Sequence, residues 1–68
     1  MKIRNGAEYD NDLNKGYYYE NDLLIATLLF DNDCFEYHYE GHTQEDKDMM
    51  YEEMTTAKSR WMYNAKMS

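Results

Sequence analysis

The sequence predicts an α+β fold in which a three- to four-stranded antiparallel sheet is packed by one C-terminal α-helix, in the order β(β)ββα. Three observations predict it. Residues Cys34–Glu40 alternate between two kinds of side chain, as a strand with one buried face does. The run Leu23–Phe30 is apolar, and from Thr43 onward apolar residues recur every three or four positions, which is typical of an amphipathic helix. At 68 residues the chain should form a single domain, 1–68.

The N-terminal part of the chain is the most polar. Met1–Arg4 is predicted to be a short strand with its one isoleucine facing inward, and Asp10–Gly16 has the composition of a loop. Tyr17–Tyr19 has high strand propensity and should form the next strand. Glu20–Asp22 then forms a polar break.

The apolar run Leu23–Phe30 allows two interpretations. It lacks alternation, so it is either a central strand covered on both faces or a buried helix capped by Asp22. We favour a strand, because Asp31–Asp33 reads as a tight turn that leads into Cys34–Glu40.

The C-terminal helix should begin with Thr43 as its cap. The Thr43 hydroxyl can accept a hydrogen bond from the backbone N–H of Asp46, whose carboxylate can reach back. The apolar stripe consists of Met50, Met54, Ala57, Trp61 and Ala65. It should pack on the sheet face that carries Phe35, Tyr37 and Tyr39.

Charge restricts the classes of function. The chain has fourteen Asp and Glu residues and seven Lys and Arg residues, which gives a formal net charge of −7. Direct binding to nucleic acid is therefore disfavoured. The longest apolar run is too short to span a membrane, and the N-terminus does not resemble a signal peptide. Cys34 is the only cysteine, which favours a reducing, cytoplasmic location.

No pattern of residues indicates a catalytic, cofactor or metal site. Asp10, Asp12 and Asn14 repeat the first ligands of an EF-hand loop, but the glycine arrives one residue late and the twelfth position is Asn21. Cys34 and His38 are the one candidate nucleophile and base pair, and along a strand they would lie about 13 Å apart. We therefore expect no enzyme and no cofactor.

The combination of small size, surplus acid and eight tyrosines resembles the small inhibitors that bacteriophages and mobile elements make against host defence nucleases. Anti-CRISPR and anti-restriction DNA-mimic proteins are of this type. The resemblance implies a stoichiometric inhibitor, acting in the host cytoplasm, whose carboxylates occupy a basic nucleic-acid-binding cleft of a host protein. Homodimerisation would supplement a thin core.

The partner-binding surface is predicted from acidic residues and the tyrosines beside them. Its members are Glu8, Asp10, Asp12, Tyr18, Glu20, Asp22, Asp31, Asp33, Glu45, Asp48, Tyr51, Glu52 and Glu53. The alternative is a regulatory or assembly protein that docks its partner through exposed Tyr and Met side chains, with acidity serving only solubility.

Overall fold

The computed structural model describes residues 2–67 and confirms the α+β fold. One antiparallel sheet has the spatial order β1-β2-β3-β4, and a single helix, α1, follows it in the chain. The elements are β1 (Gly6–Asp10), β2 (Lys15–Glu20), β3 (Leu23–Leu29), β4 (Cys34–Tyr37) and α1 (Gln44–Met67).

The first strand is not where the sequence predicted it. Of the predicted strand Met1–Arg4, Met1 lies outside the described residues and residues 2–4 form no strand. The first strand is Gly6–Asp10, and the predicted loop Asp10–Gly16 narrows to residues 11–14. Ala7 packs against the core while Glu8 is exposed, so this edge strand alternates in a stretch whose polar composition hid it.

The predicted polar break is a two-residue hairpin turn between β2 and β3. Asn21 and Asp22 both have positive φ, 51° and 67°, as a type I′ turn requires. The segment before β1 is hydrogen-bonded to this turn. The Arg4 N–H donates to Asp22 Oδ1 at 2.7 Å, and the Asn21 N–H donates to Asn5 Oδ1 at 2.8 Å.

The ambiguous apolar run is a strand. β3 lies between β2 and β4, with Ala26 opposite Tyr18 and Tyr37, and Leu28 opposite Gly16 and Phe35. Ala26 and Leu28 are fully buried beneath the helix. The expectation that both faces would be covered is confirmed for the middle of β3, where the four consecutive residues Ile25–Leu28 are buried. α1 covers Ala26 and Leu28, while on the other face Thr27 Oγ1 lies 3.0 Å from His38 Nε2.

The last strand ends earlier than expected. β4 stops at Tyr37 rather than Glu40, because the chain turns away there to reach the helix. Phe35 packs against the core and stacks on Tyr37, with ring centroids 4.5 Å apart. Tyr39 lies outside the strand and is exposed, so its predicted contact with the helix is wrong.

The helix begins as predicted. The Asp46 N–H donates to Thr43 Oγ1 at 3.1 Å and the Thr43 N–H donates to Asp46 Oδ2 at 3.3 Å, which is a reciprocal capping box. Met50 and Met54 are buried in a core that also contains Ile25. The buried core is small and is formed by residues of β3 and α1.

The predicted apolar stripe is buried only along its first part. Ala57 is half-buried, whereas Trp61 is 42% exposed and Ala65 is exposed. Trp61 still contacts the sheet, since its ring packs edge-on against Tyr9 with centroids 5.9 Å apart. A helix of 24 residues is about 36 Å long, so it extends past the sheet, whose longest strand has seven residues.

Candidate partner-binding surfaces

Four of the predicted site carboxylates lie at the same end of the sheet. The β1–β2 and β3–β4 turns lie at the same end, because the strands are antiparallel and adjacent. We call the carboxylates of these two turns the turn cluster; they are Asp10, Asp12, Asp31 and Asp33. Asp12, Asp31 and Asp33 are exposed, and Asp10 is half-buried.

Asn14 joins the two turns. Its side-chain Nδ2 donates to Asp31 Oδ1 at 2.7 Å. Its backbone carbonyl oxygen accepts a hydrogen bond from the Phe30 N–H at 3.2 Å. The Tyr9 hydroxyl donates to Asn14 Oδ1 at 2.6 Å, which fixes the orientation of the amide. Asn14 also has a φ of 53°, a left-handed conformation that asparagine tolerates. Long-range hydrogen bonds through Asn14 therefore join the two turns that carry the turn cluster.

The predicted residue Tyr51 adjoins the turn cluster from the helix. Its hydroxyl donates to Asp33 Oδ1 at 3.2 Å, and this hydrogen bond raises the pKa of the Tyr51 phenol above its ordinary value. Its ring faces Phe35 with centroids 6.3 Å apart. An amphipathic side chain at the border of an anionic patch is the arrangement that protein interfaces favour.

A second group of carboxylates surrounds Tyr18. Burial, followed by the nearby carboxylates of Glu53, Glu20 and Asp46, raises the pKa of the Tyr18 phenol. Tyr18 also packs against the core. We call Glu20, Asp46 and Glu53 the Tyr18 cluster. The sequence prediction omitted Asp46, because its role as a helix cap concealed that it also borders this patch.

Two predicted site residues, Glu8 and Asp22, contact Arg4. Glu8 forms an ion pair with Arg4, with Glu8 Oε2 3.7 Å from Arg4 Nε. Asp22 accepts the Arg4 N–H in the β2–β3 turn. Asp22 lies in the β2–β3 turn at the opposite end of the sheet, whereas Glu8 lines a shallow depression together with Asp10 and Asp12 of the turn cluster. The predicted set therefore does not form one continuous surface.

The remaining predicted carboxylates are exposed on the first half of the helix. They are Glu45, Asp48 and Glu52. Their spacing of three and four residues places them on one side of α1, and the buried positions Met50 and Met54 place that side away from the sheet. No Lys or Arg lies three or four residues from any of the three.

Few of the basic side chains neutralise these acids. Within residues 2–67 the pair of Arg4 and Glu8 is the one ion pair closer than 4 Å. Lys47 lies over the Tyr37 ring at 4.8 Å, and Lys58 lies over the Phe30 ring at 4.5 Å. These amines contact aromatic faces, which leaves most of the carboxylates facing solvent.

No protein family, curated protein or solved structure matches this chain.

No helix within residues 2–67 combines the length and the apolar character that crossing a bilayer requires. In the same part of the chain, no group of three His, Cys, Asp or Glu side chains is arranged to hold a metal ion.

The sequence prediction missed Asn14, the residue that joins the two turns. An Asp-x-x-x-Asn pattern in a polar stretch signals a turn, yet nothing local shows that this asparagine meets a turn seventeen residues later. The contact depends on strand pairing, which brings the β1–β2 and β3–β4 turns together.

Proposed function

We propose that this protein is a stoichiometric inhibitor, of the anti-CRISPR or anti-restriction type, that occupies the basic nucleic-acid-binding site of a host nuclease. The turn cluster is the surface that enters the cleft. Tyr51, at its border, supplies an apolar contact that becomes desolvated on binding.

One observation carries this proposal: four carboxylates from two separate turns lie at the same end of the sheet, and hydrogen bonds through Asn14 join the two turns. Lys58, whose amine lies over Phe30 beside this end, forms no ion pair with them. Preorganised anions lose little entropy when a basic cleft binds them, so their charge contributes to affinity and to the association rate.

The experiment has two stages. The chain is expressed in bacterial strains that each carry one CRISPR–Cas or restriction system, and the plaquing efficiency of a targeted phage is measured. We expect restored plaquing in at least one strain. The affinity for that purified nuclease is then measured from low to high salt, and we expect it to fall as salt rises.

The turn cluster is tested with a charge-matched pair of variants. Asp12→Asn/Asp31→Asn should weaken nuclease binding about tenfold, because it removes two carboxylates from the contact surface. Glu36→Gln/Glu40→Gln removes the same charge from exposed positions outside the turn cluster and should leave affinity within about twofold. Equal losses in both variants would show a net-charge effect without a specific surface, and unrestored plaquing in every strain would refute the proposal.

A second candidate function rests on exposed aromatic and methionine side chains. Tyr63 is 63% exposed, Met62 is 48% exposed and Tyr39 is 47% exposed. Such surfaces fit a regulatory or assembly protein that docks a partner without electrostatic mimicry. In that case affinity would be insensitive to salt, and Tyr63→Ala would weaken binding more than the turn-cluster variant does.

A further inference from the structure

The two halves of α1 carry opposite charge. Residues 44–53 contain five Asp and Glu and one lysine, whereas residues 54–67 contain Lys58, Arg60 and Lys66 and no acidic residue. Lys47 in the first half lies over the Tyr37 ring and Lys58 in the second half lies over the Phe30 ring, so Arg60 and Lys66 supply the basic charge of the exposed side. The exposed side of the helix is therefore acidic at one end and basic at the other.

The helix also carries apolar side chains on this exposed side. Met49 is 48% exposed and Tyr63 is 63% exposed, and they lie fourteen residues apart, which is close to four helical turns. They therefore lie on nearly the same side of α1. Thr56, midway between them, is exposed and small.

The charged positions have the same symmetry. Glu53 and Arg60 are seven residues apart, close to two turns, so they share one flank of the helix. Asp48 and Lys66 are eighteen residues apart, which is five turns, and share the other flank. The midpoints of these two pairs, and of Met49 and Tyr63, all fall at residues 56 and 57.

We propose that this outer side of α1 binds a second copy of the chain, with the two helices antiparallel and the two-fold axis beside Thr56. An antiparallel arrangement about that axis brings residues of one flank opposite the same flank of the other helix. Glu53 then faces Arg60 of the second copy, and Asp48 faces Lys66 of the second copy. Met49 packs on Tyr63 of the second copy.

Charge complementarity selects this occupant and this orientation. A parallel pair would place acidic half against acidic half, which is unfavourable for like charges. The antiparallel pair places every acidic half against a basic half. A shallow groove of about 540 Å³, lined by Thr55, Thr56, Ser59, Arg60, Tyr63 and Asn64, provides room for Met49 of the second copy.

The contact is small, so the dimer is weak. A helix about 36 Å long and about 10 Å wide buries less than the roughly 800 Å² per partner of a standard interface. The dimer should therefore dissociate on dilution and on addition of salt. The turn cluster lies outside this contact, so dimerisation and nuclease binding are separable.

A charge exchange tests the proposal. Sedimentation velocity over a range of concentrations measures the dimer dissociation constant for the full chain and for Glu53→Arg, Arg60→Glu and the double variant. Each single change places like charges opposite each other, and the two-fold axis produces this repulsion twice. It should therefore weaken the dimer about tenfold. The double variant keeps the net charge of the original chain and should restore the dimer.

The second flank provides an independent set of variants. Glu53 also borders Tyr18, so far-ultraviolet circular dichroism and unfolding are measured for each protein. The exchange Asp48→Lys/Lys66→Asp repeats the test at two exposed positions of the helix. A monomer at every concentration, or double variants that restore nothing on either flank, would overturn the proposal.

Disulfide trapping tests the orientation. In a Cys34→Ser background, a chain with Met49→Cys is mixed with a chain with Tyr63→Cys under mild oxidation. The antiparallel dimer gives mainly the mixed disulfide between the two variants. A parallel dimer instead gives disulfides between two copies of the same variant. An Asn32→Cys chain, altered in an exposed turn, controls for random collision. Predominant self-linked products would refute the antiparallel contact.

Discussion

At the scale of single residues, several tyrosines are partly buried next to carboxylates, and both features raise the pKa of the phenol. Burial, with Asp10 nearby, raises the pKa of Tyr17, and burial, with Asp48 nearby, raises the pKa of Tyr37. Tyr18 combines the largest number of carboxylates with contact to the core. Its phenol therefore links the stability of the fold to pH.

Tyr18→Phe should flatten the loss of stability at alkaline pH. The folded-state pKa of Tyr18 is raised above its unfolded value of about 10. Its contribution is therefore fully present below about pH 10 and is lost as pH rises through the folded pKa. Urea unfolding at intervals from about pH 8 to about pH 11 should show a shallower decline in the free energy of unfolding for the variant than for the original chain.

The carboxylate next to Tyr18 supplies the control for this prediction. Glu53→Gln should lower the pKa of Tyr18, since it removes a negative charge that opposes ionisation. Glu36→Gln removes the same charge from the opposite face of the sheet and should leave the alkaline transition in place. An unchanged slope in Tyr18→Phe would mean that other groups govern the alkaline loss.

At the scale of elements, the helix was predictable and the first strand was not. The cap at Thr43 and the spacing of Met50 and Met54 are local signals that act within the helix itself. Gly6–Asp10 becomes a strand because it pairs with β2, and its own composition gives little support. Tyr39 fits the strand pattern, but the route of the chain to the helix takes it out of the sheet.

The contact between helix and sheet depends on one glycine. A Cβ at Gly16 would lie 3.1 Å from Phe30 Cε2 and 3.2 Å from Met54 Cβ. Gly16→Ala should therefore lower the free energy of unfolding by about 1–3 kcal/mol, as overpacking does in a tight core. Chemical denaturation measures the change.

A second alanine substitution, away from the contact between Gly16 and the helix, serves as the control. Ser59→Ala introduces alanine on the exposed side of α1, the helix that packs on Gly16, and should change the free energy of unfolding by less than about 0.5 kcal/mol. A Gly16→Ala protein as stable as the original chain would show that the helix can shift away from the sheet at no cost.

At the scale of the whole molecule, the distribution of charge was the least predictable property. Composition alone gave the net charge, but the turn cluster exists because antiparallel pairing brings two turns together through Asn14. The same pairing places Asp22 in the β2–β3 turn, at the opposite end of the sheet, where it accepts the Arg4 N–H. Long-range pairing therefore decides which of the predicted carboxylates act as one surface.

The net charge of −7 should make salt stabilise the isolated chain while it weakens complexes. Self-repulsion destabilises a compact, highly charged protein, and salt screens that repulsion. In dilute solution, where the dimer is dissociated, thermal unfolding should shift upward by a few degrees from low to physiological salt. Asp12→Asn/Asp31→Asn reduces the charge to −5, because two carboxylates are removed from −7, and should show a smaller shift. A melting temperature that falls with added salt would indicate that attractive pairs, rather than repulsion, dominate the surface.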